Sequence, residues 1–265
     1  MKKQLSILMI LFTLVCFAQE ENTTSEAQDL EKAIQNPIAS LISIPFQNNT
    51  DFGIGPDNRT KNVLNIQPVV PLSLGENTKL IVRTIIPIVN QPIANDKSQF
   101  GLGDIALSLF FTPAKPGKLI WGAGPALGFP TAMDEVLGSQ KWSAGPSVIG
   151  LIQPEGWTMG MLLQNTWSYA GASDRADVNF FYSQVFVTKN LPKGWYINTA
   201  PIITANWEAT SGQEWTVPLG LGAGKLFKIG KMPLNGQVGY YNYVVAPDNG
   251  PGWQLRVQLN LLFPQ

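Results

Sequence analysis

The sequence predicts an all-β fold, a closed antiparallel transmembrane β-barrel of about twelve strands behind a short N-terminal periplasmic segment. Three observations carry that expectation: a secretion signal at the N-terminus, a final stretch in which apolar and polar residues alternate up to a terminal aromatic, and eight tryptophans near proposed strand ends. In the final stretch a side-chain period of two puts Trp253, Leu255, Val257, Leu259, Leu261 and Phe263 on one face, with a slip allowed at Leu262. Gln254, Arg256, Gln258 and Asn260 then share the other face.

At the N-terminus, Lys2 and Lys3 precede an uncharged apolar run over 5–17, and Cys16-Phe17-Ala18 offers small residues where a signal peptidase reads. We assign 1–18 as the signal peptide, 19–40 as an N-terminal periplasmic segment and 41–263 as the outer-membrane barrel. A lipoprotein signal acylated on Cys16 is the rival, and Thr13-Leu14-Val15 lacks the small residue it needs before the cysteine. The run is shorter than the roughly 20 residues that span a bilayer as a helix. Cys16 is the single cysteine, so the processed chain has no thiol and neither a disulfide nor a thiolate-ligated metal. Further on, Ser25-Glu26-Ala27-Gln28 fits a capping box and Leu30, Ala33 and Ile34 recur at helical spacing. A short helix across the periplasmic mouth or inside the lumen is one reading, and a frayed leader is the other.

Eighteen basic and 18 acidic residues give zero net charge, and with no basic patch nucleic acid is excluded as a partner. Beyond the signal no apolar run is long enough for a helical membrane span. Alternation and turn residues mark strands over 41–48, 62–74, 78–90, 102–112, 118–130, 141–152, 157–169, 177–188, 195–208, 213–227, 234–246 and 252–263. An even number returns both termini to the periplasm. Connections at 75–77, 113–117, 153–156, 189–194 and 228–233 are short and rich in Gly, Pro, Asn and Lys, whereas 49–61, 91–101 and 131–140 read as long polar loops.

An indole prefers the headgroup level, so tryptophans at strand ends fit interfacial girdles. Trp157 with Trp167, and Trp195 with Trp207, are evenly spaced and share the lipid face with Met159, Met161 and Leu163, and with Ile197, Pro201 and Ile203. The opposite faces carry Thr158, Gly160, Gln164 and Ser168, and Asn198, Asn206 and Glu208. Prolines 68, 87, 125, 146, 201 and 218 inside strands remove ladder donors and point to bulges in the wall.

With no histidine, Ser-His triads and His-ligated metals are impossible, so the chain is read as a non-enzyme without cofactor or metal. Gly220-Leu221-Gly222-Ala223-Gly224-Lys225 departs from a phosphate loop at Leu219 and Leu226, and its glycines instead line one face of a strand. Inward phase selects lumen candidates Arg83, Asp104, Gln164, Asn198, Glu208 and Arg256. Arg83 and Asp104 stand on neighbouring strands and are expected to pair across the lumen, alone or with Arg256, as a wall-stabilising pair or a solute contact.

Several motifs add a resemblance. Residues 36–49 (Asn36-Pro37-Ile38-Ala39-Ser40 through Pro45-Phe46-Gln47-Asn48-Asn49), Gly101-Leu102-Gly103-Asp104, Ile120-Trp121-Gly122-Ala123-Gly124-Pro125, Lys141-Trp142-Ser143-Ala144-Gly145-Pro146, Trp215-Thr216-Val217-Pro218 and Leu262-Phe263-Pro264 resemble the outer-membrane transporter family grouped under "MetA-pathway of phenol degradation", often mislabelled neuromedin U. The resemblance implies a barrel that transports aromatic or other small apolar compounds. With strands about 4.8 Å apart and tilted near 40°, a twelve-stranded wall has a diameter of roughly 24 Å and leaves a lumen of about 10 Å. The expectation is passive diffusion of small molecules across the outer membrane. Its partners are then outer-membrane lipid, a small-molecule solute, and the barrel-assembly machinery through the C-terminal strand. Two alternatives stand beside it: a structural or adhesive barrel with a closed lumen, and a secreted soluble glycan-binding β-protein.

Overall fold

The computed structural model describes residues 25–263 except Asn95 and Lys231, with side chains from Leu30 onward. The signal peptide 1–18, residues 19–24 and Pro264 lie outside the described residues. One helix, α1 (Ser25–Gln35), precedes fifteen strand segments. These are β1 (Ile42–Ile54), β2 (Arg59–Ile66), β3 (Val69–Ser73), β4 (Thr78–Pro92), β5 (Ser98–Leu102), β6 (Ile105–Pro113), β7 (Leu119–Phe129) and β8 (Lys141–Ile152). They continue as β9 (Trp157–Gly171), β10 (Asn179–Asn190), β11 (Trp195–Thr199), β12 (Ile202–Asn206), β13 (Trp215–Ile229), β14 (Met232–Val245) and β15 (Trp253–Phe263). Because β2 with β3, β5 with β6 and β11 with β12 each form one interrupted wall strand, the wall has twelve strands and is a closed antiparallel barrel. Closure is made by β1 against β15, in register from Ile42 opposite Phe263 to Phe52 opposite Trp253.

The proline positions explain most of the interruptions. Pro68 separates β2 from β3 and Pro201 separates β11 from β12, each where a missing N–H leaves a gap in the ladder. Pro218 sits at a register shift between β13 and β14. Pro87 lies opposite the kink at Gly103 and Asp104, where β4 changes register between β5 and β6, and its carbonyl accepts the Gly103 N–H at 2.9 Å. Pro125 and Pro146 instead face each other across β7 and β8 with no shift of register.

Alternation sorts the side chains as the sequence implies. On β15, Gln254, Arg256 and Asn260 are buried inside while Trp253, Val257, Leu259 and Phe263 are exposed outside. Leu262 keeps the alternation and faces the lumen, almost wholly buried. All eight tryptophans are exposed on the outer face. Trp121, Trp157 and Trp195 form one rim at the end where the short turns lie, and Trp142, Trp167, Trp207, Trp215 and Trp253 form the other. At the first rim Lys189 lies 4.7 Å over the Trp157 ring and Lys225 lies 5.1 Å over Trp195, an arrangement that suits long cations at a membrane interface. The rims, the apolar belt between them and the closed ladder place the protein in the outer membrane.

The loop expectation is corrected in two places. The polar stretch read as a loop over 49–61 continues β1 to Ile54 and resumes as β2 at Arg59, and the stretch over 91–101 is mostly β4 and β5. Polar residues there face both ways: Asn49 and Asp51 inward, Asn48 and Thr50 outward, the latter two tied to one another and to Asn62 by hydrogen bonds of 2.8–3.1 Å. Alternation of polarity was absent while the strand continued. Among the described residues the longest connection between strands is 130–140, and it carries a 3-10 turn, Glu135–Leu137.

The phase of β15 has a direct test. An arginine on the lipid face near mid-membrane costs about 2–4 kcal/mol, whereas the lumen face accepts charge. Val257→Arg should strongly reduce outer-membrane assembly, and Gln258→Arg should assemble, as read by the heat-dependent gel shift of membrane fractions. Equal assembly of the two would contradict the assigned faces.

Candidate functional site

The lumen is filled, and its filling is divided by chemistry. On the side made by β4, β6 and β8–β10, Ile81, Phe110, Ile149, Leu151, Leu162 and Phe186 are buried in one apolar cluster. Glycines make room for the rings: a Cβ on Gly122 would lie 3.1 Å from Phe110 Cβ, and one on Gly160 would press on Phe186 and Leu151. On the other side, β1, β11 and β13–β15 present Gln47, Asn49, Asn198, Asn235, Gln254, Arg256 and Asn260. The lumen of about 10 Å expected from strand geometry is therefore occluded. Strand count fixes the bore but says nothing about which side chains meet within it.

Arg256, only 2% exposed, organises the polar side. Its Nε donates to Asn49 Oδ1 at 3.1 Å, Nη1 to the Ala200 carbonyl at 2.7 Å and Nη2 to Gln254 Oε1 at 3.0 Å. The guanidinium also lies 4.4 Å from the Tyr241 ring, whose hydroxyl accepts the Ala200 N–H at 3.2 Å. The break before Pro201 thus frees both backbone polar groups of Ala200 from the ladder, and lumen side chains satisfy them. One step toward the outer mouth, Asp51 accepts from Tyr243 and from Gln254 Nε2, both at 2.8 Å. The glycines of β13 belong to this arrangement, since a Cβ on Gly224 would collide with the Tyr196 ring and one on Gly222 would meet Asn198 Oδ1 at 2.8 Å.

The other predicted lumen residues divide. Arg83 faces the lumen and donates to Gln67 Oε1 at 2.7 Å. Asp104 accepts from the N–H of Ala132 at 3.1 Å and from the N–H and hydroxyl of Ser139 at 2.6 and 2.8 Å. The Arg83–Asp104 pair expected from their neighbouring strands does not form, because the kink at Gly103 aims the carboxylate at the 130–140 loop. That loop folds inward, burying Leu137 against Gly101 and Gly103. Gln164 accepts from Ser108 at 3.3 Å across the lumen. Asn198 is buried, and its Oδ1 has no partner among the described residues. Glu208 is displaced from the lumen: β12 ends at Asn206 and Glu208 sits exposed in the following turn.

The mouth near the termini is closed by residues 30–41. Leu30, Ala33 and Ile34 of α1 pack on Ala39, Leu41 and Leu262, and Ile38, 3% exposed, enters the apolar cluster of the wall. Polar ties are few: Gln35 donates to Asn190 at 2.5 Å and accepts from Thr158 at 2.8 Å, Gln153 donates to the Lys32 carbonyl at 2.7 Å, and Lys79 donates to Ser40 at 2.6 Å. Burial raises the Glu31 carboxyl above its usual range. Above this plug lies a cavity of about 150 Å3, walled by Gln47, Gln67, Arg83, Gln184, Gln258 and Asn260 and floored by Pro37, Ala39 and Leu41. Of these residues Arg83, Gln258 and Asn260 were marked as inward by the sequence. Gln67 was legible, since it shares the phase of Val69 and precedes a proline, but the floor was not.

Comparison with protein-family models finds no match, and comparison with curated proteins finds none. Among solved structures, the chain is similar to the COG4313 outer membrane channel from Pseudomonas putida F1, at 17% identity and a TM-score of 0.63, over 84% of this chain and 94% of that one. Weaker likenesses reach the β domain of the Bordetella autotransporter BrkA (13%, 84% and 100%, TM-score 0.46) and the outer membrane phospholipase of Salmonella typhi (12%, 89% and 97%, TM-score 0.43). At these identities the likeness is one of fold.

Arg256→Ala should lower the temperature of the heat-dependent gel shift, since it strands Asn49, Gln254 and the Ala200 carbonyl, with a loss on the order of 3 kcal/mol. Arg256→Lys should recover only part of this, because one ammonium cannot replace a planar fork that meets three acceptors and a ring. Full recovery by lysine would remove the geometric role assigned to the guanidinium.

Proposed function

We propose that the protein is an outer-membrane channel for small molecules, held closed by its N-terminal segment, and that solutes with an apolar body, aromatic ones among them, cross it by passive diffusion once the plug leaves. The observation that supports this most is the floor of the lumen cavity. It consists of a chain segment that is not hydrogen-bonded into the sheet, so it can depart without breaking a ladder that the membrane would not allow to open. What holds it among the described residues is apolar burial, about 1.5–3 kcal/mol for each large side chain fully covered, and four side-chain hydrogen bonds. Both the likeness to the Pseudomonas channel and the sequence resemblance to the phenol-degradation transporter family favour transport. Assembly through Phe263 and the closing strand belongs to the same reading.

A second reading, a structural barrel with a permanently closed lumen, is favoured by the Arg256 and Tyr241 seal, where Tyr241 is fully buried. Conductance separates the two. Deleting residues 25–40 from the processed chain should raise single-channel conductance in planar bilayers several-fold over the intact protein. Because docking buries Glu31 and so favours its protonated form, docking is strongest at acid pH and weakens as pH rises through the raised Glu31 value. Open probability should rise with pH, and Glu31→Gln should flatten the profile. A deletion variant as silent as the intact protein would favour the structural barrel.

Selectivity is a second measurement. Arg83 faces the lumen, so Arg83→Ala should shift ion selectivity toward cations with assembly nearly intact. An unassembled Arg83→Ala protein would make Arg83 a structural group instead.

A further inference from the structure

From the cavity above the plug we infer a binding site for a small monocarboxylate, with its carboxylate on the Arg83 guanidinium and its apolar body toward the plug. The inference deepens the channel reading and rests on solutes reaching the lumen. Arg83 projects from β4 between Val69 and Ser108, its uncharged neighbours in register. A guanidinium has five N–H donors, and the described contacts of Arg83 use one, to Gln67. Among the described residues the ion pairs are Lys141 with Asp177 and Arg175 with Glu135, both at the outer loops, and no Asp or Glu lines the cavity.

A half-buried cation without a counter-charge is costly, and a guest anion removes that cost. A planar carboxylate matches the planar fork with two parallel hydrogen bonds. Gln67 is itself buried and fixes the guanidinium by accepting from it, while its own backbone N–H bonds the Pro45 carbonyl at 2.8 Å. Gln47, Gln184, Gln258 and Asn260 supply amides for the remaining lone pairs. A single cation selects a single negative charge.

The size and the opposite wall define the rest of the ligand. A cavity of about 150 Å3 accepts a molecule the size of benzene. Val69, Leu262, Leu41 and Ala39 line its apolar part, so the body of the ligand is a short alkyl chain or one ring. Since Leu41 and Ala39 belong to the plug, the guest rests on the segment that closes the pore.

The test is equilibrium binding to the folded protein in detergent, by calorimetry and saturation-transfer NMR at fixed ionic strength. Its probes are sodium butyrate and benzoate, their neutral counterparts butyramide and benzamide, and inorganic phosphate. Both acids should bind at least about tenfold more tightly than the amides and more tightly than phosphate, and Arg83→Gln should lose that margin while Arg83→Lys keeps part of it. Equal binding of acid and amide, tighter binding of phosphate, no binding, or full retention in a folded Arg83→Gln protein would overturn the site. If Arg83→Gln fails to give the heat-dependent gel shift, the acid-to-amide comparison on the unaltered protein decides alone. Conductance of the variant lacking residues 25–40, in potassium chloride, distinguishes the two proposals: butyrate binding by the intact protein beside a silent deletion variant retains the site and loses the channel, and a conducting deletion variant beside an intact protein without acid preference loses only the site.

Discussion

Inside a bilayer no water is available to a backbone N–H or C=O, and the rest of this structure depends on that constraint. The sheet has to close on itself, so β15 pairs with β1 along its whole length, and Ile42 and Phe263 lie side by side at one end of the barrel. A closed ladder tolerates irregularity only where something else satisfies the freed groups. At Pro201 that something is Tyr241 and Arg256 acting on Ala200, and at Pro68 the neighbouring strands keep the bonds, with the Thr84 N–H reaching the Pro68 carbonyl at 3.0 Å. Proline, disfavoured in a central strand, is therefore used here where the lumen or the adjoining strand can compensate.

The same constraint explains which features were legible in the sequence. Facing was legible because lipid imposes one rule on every outward position, so Trp157, Trp167, Trp195 and Val257 could be assigned by parity alone. Extent was not legible where polarity lost its alternation. Asn48 and Thr50 point outward as polar groups and satisfy one another with Asn62, so β1 looked like a loop long before it ended. At the other boundary Glu208 continued the parity of Asn206 after the strand had stopped. Period-two reasoning carries no stop signal of its own, and a turn without glycine or proline at its start hides the end.

The lumen was harder still, because its contents depend on which side chain of one strand meets which glycine of the next. Phe110 fits against Gly122, Phe186 against Gly160 and Tyr196 against Gly224, and each pair comes from neighbouring strands whose register sequence alone does not set. The glycine stripe on β13 was visible, yet its purpose lies in Tyr196 and Asn198 of β11 and in the close backbone of β14. Arg83 and Asp104 show the opposite error: neighbouring strands were taken to mean neighbouring side chains. One extra residue at Gly103 turned the carboxylate to the outer loop and left the guanidinium with an amide.

The filled lumen has two walls of different chemistry. It is apolar from Ile81 round to Phe186 and polar from Asn49 round to Arg256. Wall side chains take the room beside Gly222 and Gly224, as Asn198 and Tyr196, but not the room at the mouth near the termini, where Gly122 leaves a place for Ile38. The space is instead taken by Ile38, Ala39 and Leu41, which follow a helix and belong to no strand. An occupant that contributes packing but no ladder hydrogen bonds is the one part of the structure whose removal leaves the membrane constraint satisfied. Closure at the mouth near the termini is therefore a property of residues 30–41, while deeper in the barrel it is made by wall side chains around Arg256 and Tyr241.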